Sequence, residues 1–254
     1  MNILVANDDG IQARGINELV KALSEVATVY VCAPDSQRSA SGHGITVSKP
    51  VYCEEVEFDG AELAMQLSGT PADCVKLGMN MLAERGIKID MVFSGINHGG
   101  NLGTDTLYSG TVSAAIEGII CGVPSVAVSV DSHEAEYFEY ACYLAVEAAK
   151  KAYGKMSADT VLNINTPNLP REEIKGLKYT TLGRREYNEF FTPIKTEDGR
   201  IAYRYTGDPV IYDGLPDTID VIAMQNGYAS ITPLRKDLTD YNLVDRISEW
   251  RIGK

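Results

Sequence analysis

Two adjacent carboxylates follow the first apolar run of the sequence, in the segment Asn7-Asp8-Asp9-Gly10. In an apolar setting Asp8 and Asp9 would repel each other unless a cation neutralised them, and a hard divalent ion such as Mg²⁺ takes oxygen ligands of this kind. A turn with exposed acids explains the same residues, because Asp and Gly are common in turns. A position directly after the first strand of an α/β sheet favours the metal site.

A second polar segment, residues 34–46, reads PDSQRSASGHGIT. Ser39 and Ser41 offer hydroxyl groups to a metal or a phosphate, and Arg38 offers a fixed positive charge. His43 could act as a general base or donate to a phosphate, although a solvent-facing histidine beside two glycines is the simpler interpretation. This segment therefore supports a phosphate site only together with its neighbours.

The most informative segment, residues 94–111, reads SGINHGGNLGTDTLYSGT. Its glycines at positions 95, 99, 100 and 103 indicate tight turns and close approach of the backbone to another group. Asn97 and Asn101 add uncharged amides, and the run Ser109, Gly110 and Thr111 opens a predicted helix whose first amides could bind a phosphate. The segment is neither a P-loop nor a dinucleotide fingerprint.

Strands and helices alternate through the first two thirds of the chain, which predicts a mainly parallel α/β sheet with helices on both faces. Such a sheet binds ligands at the carboxyl ends of its strands, where these three polar segments and a fourth, Ser68-Gly69-Thr70-Pro71, lie. The amides that open the helix after the fourth segment could bind an anion, although Thr70 acting simply as a helix cap explains it equally well. We predict strands at residues 2–6, 28–33, 51–56, 63–67, 91–94, 125–129 and 161–165, and helices at 16–23, 71–82, 112–121 and 132–153. The last of these helices is expected to begin with a capping box of Asp131 and Glu134.

The pattern changes after about residue 177. An Asp198-Gly199 turn predicts a β-hairpin over residues 190–205, whose aromatic side chains we expect to pack on another subunit. A second hairpin is expected around Asn226-Gly227, followed by a C-terminal helix. We therefore expect a single α/β domain over 1–254, made of a core at 1–180 and a hairpin extension with a C-terminal oligomerisation tail at 181–254.

Charge and composition exclude several classes of partner. The chain has 23 Lys and Arg against 35 Asp and Glu, a formal net charge of −12, which disfavours binding to nucleic acid polymers or to an anionic membrane. The 5 cysteines are scattered and form no zinc motif. No run approaches the length of a membrane span and the opening apolar run is too short for a signal peptide, so we expect a cytoplasmic protein.

The polar segments together supply two carboxylates, hydroxyls, amides and helix N-termini, a set that suits one hard metal beside a phosphate. The chemistry indicated is metal-assisted hydrolysis of a phosphate ester. A signalling receiver module also has paired acids after its first strand, but it needs an acceptor Asp at the end of its third strand, where Asp90 instead precedes the predicted strand. A non-catalytic nucleotide-binding protein is the third alternative.

At these segments the sequence resembles the stationary-phase survival protein SurE family of nucleotidases. The opening NILVANDDG and the later blocks APDSQRSASGHGIT, SGTPADCV and SGINHGGNLGTDTLYSGTVSAAIEG match the family in order and spacing, and the likeness extends to GYASITPL. The resemblance implies a Rossmann-like core and a 5′-nucleotidase that releases phosphate from nucleoside monophosphates. It also implies homodimers or homotetramers in which the β extension and the C-terminal helix are exchanged between subunits.

The resemblance further implies one divalent metal ion per subunit, Mg²⁺ or Mn²⁺. Its ligands fall on Asp8, Asp9, Ser39 and Asn97. We expect Asp8, Asp9 and Asn97 to be catalytic, with Asp9 a candidate to orient the attacking water. The residues expected to bind the phosphate or the rest of the substrate are Asn101, Ser109, Gly110, Thr111 and His43.

Overall fold

The computed structural model describes residues 1–188, 191–204, the backbone of Tyr205, and residues 207 and 209–252. Its strands are β1 (Asn2–Ala6), β2 (Thr28–Pro34), β3 (Cys53–Val56), β4 (Leu63–Leu67), β5 (Met91–His98), β6 (Ser125–Val130), β7 (Val161–Thr166), β8 (Leu177–Tyr179), β9 (Phe191–Lys195), β10 (Ile201–Tyr205) and β11 (Ala229–Leu234). Its α-helices are α1 (Arg14–Ser24), α2 (Pro71–Glu84), α3 (Gly110–Ile120), α4 (Glu139–Ala152), α5 (Asp220–Gln225) and α6 (Tyr241–Val244). Short 3₁₀ helices cover Gly103–Leu107, Arg171–Glu173 and Ile247–Trp250.

One large sheet organises the molecule, with strand order β3-β4-β2-β1-β5-β6-β7-β11-β8. Strands β4, β2, β1, β5, β6 and β7 are parallel, while β3 pairs antiparallel with β4 and β11 pairs antiparallel with β7. Strand β1 lies between β2 and β5, so the chain builds the sheet outward from β1 in both directions. The loops that leave these three strands therefore meet at the switch point where open α/β sheets bind ligands.

Side chains of β1 alternate between two apolar layers. Ile3 and Val5 pack in the cluster that contains the buried faces of α1 and α4, whereas Leu4 and Ala6 pack in the cluster of α2 and α3. Burial on both faces explains why the central strands are continuous apolar runs. The predicted α/β fold, with helices on both faces of a mainly parallel sheet, is confirmed.

The predicted helix over residues 132–153 begins too early, because α4 starts only at Glu139. The expected capping box is not formed: Asp131 instead accepts a hydrogen bond from the amide of Gly100 at 3.2 Å. The amides of Glu136 and Tyr137 donate to the side chain of Asn168, at 2.9 and 3.1 Å. The residues before α4 are thus held by tertiary hydrogen bonds in place of helical ones.

The extension agrees only in part with expectation. The two-stranded sheet of β9 and β10 confirms the hairpin around Asp198-Gly199, with the predicted member Phe190 lying outside the described residues. The predicted hairpin around Asn226-Gly227 is wrong, since α5 precedes this turn and β11 follows it into the main sheet. The main sheet therefore draws one strand from the region 181–254.

The C-terminal tail contains two short pieces, α6 and the 3₁₀ helix Ile247–Trp250, where one continuous helix was expected. Asp240 caps α6 by accepting a hydrogen bond from the amide of Leu243 at 3.1 Å. Large apolar side chains of the tail are exposed, including Trp250 at 59%. None of the helices in the described part of the chain has the length and apolar character needed to cross a bilayer.

Candidate active site

Asp8 lies at the carboxyl end of β1 and is buried, with 5% of its surface exposed. The hydroxyl of Thr111 donates a hydrogen bond to Asp8 Oδ1. Burial raises the pKa of Asp8 to about 6, the charge of Asp9 adds to this, and the hydrogen bonds from Thr111 act against it. A positive charge placed beside this carboxylate would stabilise its ionised form.

The N-terminus of α3 lies directly against Asp8. A Cβ atom on Gly110 would be 2.8 Å from Asp8 Oδ2 and 3.0 Å from Ser41 Oγ. Glycine is therefore needed at this position, because any side chain would push the carboxylate or the loop away. The first turn of α3 and the acid pair thus belong to one site.

Asp9 links the loop after β1 to the loops after β2 and β5. Its Oδ2 accepts a hydrogen bond from the amide of His98 at 3.1 Å, and its Oδ1 faces Gln37 Nε2 at 3.4 Å. The same Gln37 nitrogen donates to Ser39 Oγ at 2.9 Å. One glutamine side chain therefore bridges two of the predicted metal ligands.

Asn97 lies at the end of β5, beyond the point where the pairing of β5 with β6 changes register. Its Nδ2 donates to the carbonyl of Gly99 at 2.7 Å, so the side-chain amide oxygen is the atom of Asn97 that could face a cation. The peptide bond between Gly95 and Ile96 in the same strand is cis. The hydrogen bonds of Asp9 with the amide of His98, the neighbour of Asn97, and of Gln37 with Asp9 and Ser39 bring the loops after β1 and β2 together with the end of β5 at one edge of the sheet.

The predicted phosphate-binding residues of α3 have side chains that are already engaged. Ser109 caps the helix by accepting a hydrogen bond from the amide of Val112 at 3.0 Å, and the Thr111 hydroxyl is bound to Asp8. The groups of this segment suited to an anion are therefore the backbone amides at the helix N-terminus.

Asn101 belongs to the glycine-rich loop that follows β5 (residues 99–105) and takes part in a buried polar network. Its Nδ2 donates to Ser129 Oγ at 2.9 Å, and its backbone amide donates to Asn165 Oδ1 at 2.8 Å. Asn163 and Asn165 donate in turn to the carbonyl of Asn101, at 2.8 and 3.1 Å. These contacts fix Asn101 firmly to β6 and β7.

His43 is placed against the helix layer by the buried carboxylate of Glu117, which also pairs with Lys76. Its Nε2 lies 2.8 Å from Glu117 Oε2, and Lys76 Nζ lies 2.7 Å from Glu117 Oε1. Glu117 is almost fully buried within α3. This contact anchors residues 34–46 to α2 and α3, a role that the sequence did not reveal because Glu117 and Lys76 carry no motif.

Several further residues of the site have no local signal in the sequence. Gln37 lies among exposed loop residues, and Arg185 is distant in sequence from the glycine-rich loop whose Gly100 carbonyl it contacts at 3.3 Å. Ser41, by contrast, was singled out from the sequence as a possible hydroxyl ligand, and its Oγ is buried without a hydrogen-bond partner among the described residues. A hydroxyl buried without a partner beside a helix N-terminus is suited to a ligand oxygen.

The donor set determines which cations fit. In the described part of the chain, no three side chains of His, Cys, Asp or Glu gather as a metal cluster. If the predicted ligands hold, a cation at the acid pair would be bound by the carboxylates of Asp8 and Asp9 together with neutral oxygens from Ser39 and Asn97. Such an all-oxygen set fits Mg²⁺ or Mn²⁺ and disfavours metals that prefer thiolate or imidazole.

Fold and site together define a doubly wound α/β protein with an acidic, oxygen-rich site at its switch point. The family model described as "Survival protein SurE" matches residues 3–189. The chain belongs to the SurE family, which confirms the family predicted from its sequence motifs.

Similar proteins cover nearly the whole chain. A protein of Heliobacterium modesticaldum named 5′-nucleotidase SurE is 45% identical over 256 residues, covering 100% of this chain and 93% of the relative. A protein of the same name from Moorella thermoacetica is 46% identical over 252 residues, covering 98% and 96%. The crystal structure of SurE protein from Aquifex aeolicus superimposes with a TM-score of 0.83 at 39% identity, covering 98% of this chain and 99% of that one.

Proposed function

We propose that this protein is a phosphatase that hydrolyses nucleoside monophosphates to nucleoside and phosphate with the help of one divalent cation, Mg²⁺ or Mn²⁺. Membership of a family whose curated members are named 5′-nucleotidases shows the chain to be an enzyme of that class. The observation that carries the proposal is the buried Asp8 carboxylate pressed against the first turn of α3. Carboxylate and helix N-terminus there supply binding groups for a cation and for an anion side by side.

Asp8, Asp9, Ser39 and Asn97 are the residues that would hold the cation. When bound, a divalent cation supplies a Lewis acid for the phosphate and lowers the pKa of a coordinated water. Asp9 is the carboxylate proposed to orient the attacking water, since the site has two acids. The amide of His98 holds Asp9 Oδ2 in place, and the hydroxyl of Thr111 holds Asp8.

Binding and orientation of the phosphate are assigned to α3. The amide of Gly110 would donate to a phosphate oxygen, with Ser109 capping the helix so that this amide keeps its direction, while the backbone of Thr111 is already hydrogen bonded to Asp8. Developing negative charge in the transition state is stabilised by such fixed donors without reorganisation. Asn101 and His43 remain predicted substrate contacts, each with a hydrogen-bonded partner of its own, Ser129 and Glu117.

The decisive experiment is release of inorganic phosphate from a panel of nucleoside monophosphates, with Mg²⁺, with Mn²⁺ and with a chelator. We expect metal-dependent release by the wild type and a loss of at least about 100-fold in Asp8→Asn, because removing a carboxylate that holds the metal should cost at least as much as removing a residue that only orients such a ligand, typically about 10- to 100-fold. Asp59→Asn, an exposed aspartate in a turn, is the matched control. Nucleotide binding without any phosphate release would favour the non-catalytic alternative.

We further propose that the enzyme works in the cytoplasm as a homodimer or homotetramer. Support for assembly comes from the hairpin of β9 and β10, where Ile201 and Tyr203 are 71% and 66% exposed. Apolar surface of this kind on a projecting hairpin is typical of an interface between copies. Exchange of the extension and the C-terminal tail between subunits is part of this proposal.

A further inference from the structure

The peptide group of Gly100 is held on both sides by charged side chains. Its amide donates to Asp131 Oδ1 at 3.2 Å, and its carbonyl accepts a hydrogen bond from Arg185 Nη1 at 3.3 Å. Arg185 Nη2 also lies 3.5 Å from the same Asp131 oxygen, which closes the contact into a triangle. A Cβ atom on Gly100 would come within 2.4 Å of Asp131 Oδ1, so the carboxylate lies directly against the backbone.

Arg185 is attached to the next part of the same loop as well. Its Nε lies 3.5 Å from Asp105 Oδ2, and its backbone carbonyl accepts a hydrogen bond from Thr104 Oγ1 at 2.9 Å. The buried Asp220 carboxylate accepts hydrogen bonds from the amides of Gly103 and Gly183, at 2.8 and 2.7 Å. Residues 183–185 are therefore fastened along the glycine-rich loop from Gly100 to Asp105.

The charge balance of this cluster argues against direct capture of phosphate by Arg185. Its single positive charge faces two carboxylates, Asp105 and Asp131, and only 14% of its side chain is exposed. The guanidinium is thus already matched by negative charge, and its three nitrogens reach three different acceptors, the Gly100 carbonyl and the carboxylates of Asp105 and Asp131, which the single ammonium of lysine is less suited to do.

We propose that Arg185 is a positioning residue. Through its hydrogen bond to the carbonyl of Gly100 and its ion pair with Asp105, it fixes the glycine-rich loop so that Asn97 presents its amide oxygen to the cation. The connection to Asn97 is short, because Asn97 Nδ2 donates to the carbonyl of Gly99, the residue that directly precedes Gly100. This inference rests on the proposed function. It assigns to the segment between β8 and β9 a part in shaping the site.

The test compares Arg185→Ala and Arg185→Lys with Arg184→Ala, a neighbour whose side chain is 79% exposed and pairs with Glu186. Binding of Mn²⁺ alone is titrated by electron paramagnetic resonance, and kcat and KM for a nucleoside monophosphate are measured in parallel. We expect Arg185→Ala to bind Mn²⁺ about tenfold more weakly and to lose about 10- to 100-fold in kcat, as for other residues that orient metal ligands. Arg185→Lys, which keeps the charge and loses the planar fork, should be intermediate, and Arg184→Ala unchanged.

Rescue separates positioning from general loss of structure. Guanidinium chloride at millimolar concentration should restore part of the kcat and Mn²⁺ affinity of Arg185→Ala and leave wild type unaffected. Binding of Mn²⁺ by Arg185→Ala within about twofold of wild type, well short of the roughly tenfold loss typical when a ligand-orienting residue is removed, would overturn the inference. So would an activity loss in Arg185→Ala that only follows the unfolded fraction and resists guanidinium. Wild-type protein that binds Mn²⁺ but releases no phosphate would instead reject the proposed function, while the Mn²⁺ affinities of the variants still decide the role of Arg185.

Discussion

Asp8 is the residue at which burial and charge conflict most directly. Its carboxylate is buried and shares the site with Asp9. Burial raises the pKa of Asp8 to about 6, so its ionised form is less favoured than that of an exposed aspartate. The sequence predicted the pair because two acids followed an apolar run. It could not predict the Thr111 hydroxyl that donates to Asp8, because that bond joins residues 103 positions apart.

Replacing Thr111 with valine tests this bond at nearly constant volume. Thr111 is fully buried, so Thr111→Val leaves a buried carboxylate oxygen without its hydroxyl donor. We expect the free energy of unfolding at pH 7 to fall by about 1–2 kcal/mol, within the range for a lost partner of a buried charged group. Urea denaturation measures this loss. Thr111→Ser, which keeps a hydroxyl, is the control, and a valine variant as stable as wild type would contradict the expectation.

At the scale of elements, the loop over residues 34–46 is fastened to the start of α2 through Asp73. The Asp73 side chain accepts hydrogen bonds from the amides of Thr70 and Thr46, at 2.9 and 3.0 Å, and Thr70 returns a cap to the Asp73 amide at 3.1 Å. Burial alone would raise the pKa of Asp73, but the hydrogen bonds from Thr46 and Thr70 outweigh it and hold the pKa below its ordinary value of 3.8.

The lowered pKa gives Asp73 a defined effect on stability. The unfolded chain takes up a proton at a higher pH than the folded one, so the stabilisation is complete above 3.8 and is lost as the pH falls through the folded pKa. We expect Asp73→Ala to lower the free energy of unfolding by about 1–2 kcal/mol at pH 7 and to make it fall less steeply in acid. Chemical denaturation between neutral and acid pH measures both, with Asp59→Asn as control. Parallel pH curves for wild type and Asp73→Ala would refute this assignment.

Secondary structure was predictable where burial alone decides it. Strand β1, predicted at residues 2–6, is a run of apolar residues whose two faces pack in two apolar clusters. This pattern is local, so the strand can be predicted from its own residues alone. The predicted helix over residues 132–153 starts too early because Asp131 has the sequence pattern of a helix cap. In the structure, Asp131 instead accepts a hydrogen bond from the amide of Gly100 and pairs with Arg185. Turn chemistry at Asn226-Gly227 likewise could not tell a hairpin from a helix followed by a strand.

For the whole molecule, the exposed hairpin of β9 and β10 predicts assembly. Replacing Ile201 and Tyr203 with serine removes apolar surface without deleting backbone, and we expect the proposed dimer or tetramer to shift toward monomer. Light scattering with size-exclusion chromatography measures the mass. Deletion of residues 190–205 should act in the same direction.

Tyr52→Ser is the control for this prediction. Tyr52 is 74% exposed and directly precedes β3, an edge strand of the main sheet that is not part of the hairpin. A hairpin variant with the same mass as wild type would show that the hairpin lies outside the interface. The net charge of −12 gives no guide here, because it describes the surface as a whole and not the apolar hairpin.

Strand β11 lies between β7 and β8 in the sheet, although residues 180–228 separate β8 from β11 along the chain. During synthesis, β8 leaves the ribosome before its partner strand β11 has been made. The edge of β7 therefore stays open until β11 has been made, and an open edge is the part of a sheet most prone to pair with another chain. Translation that terminates before residue 229 would thus release an aggregation-prone fragment, even though every residue of the predicted metal site had already been synthesised.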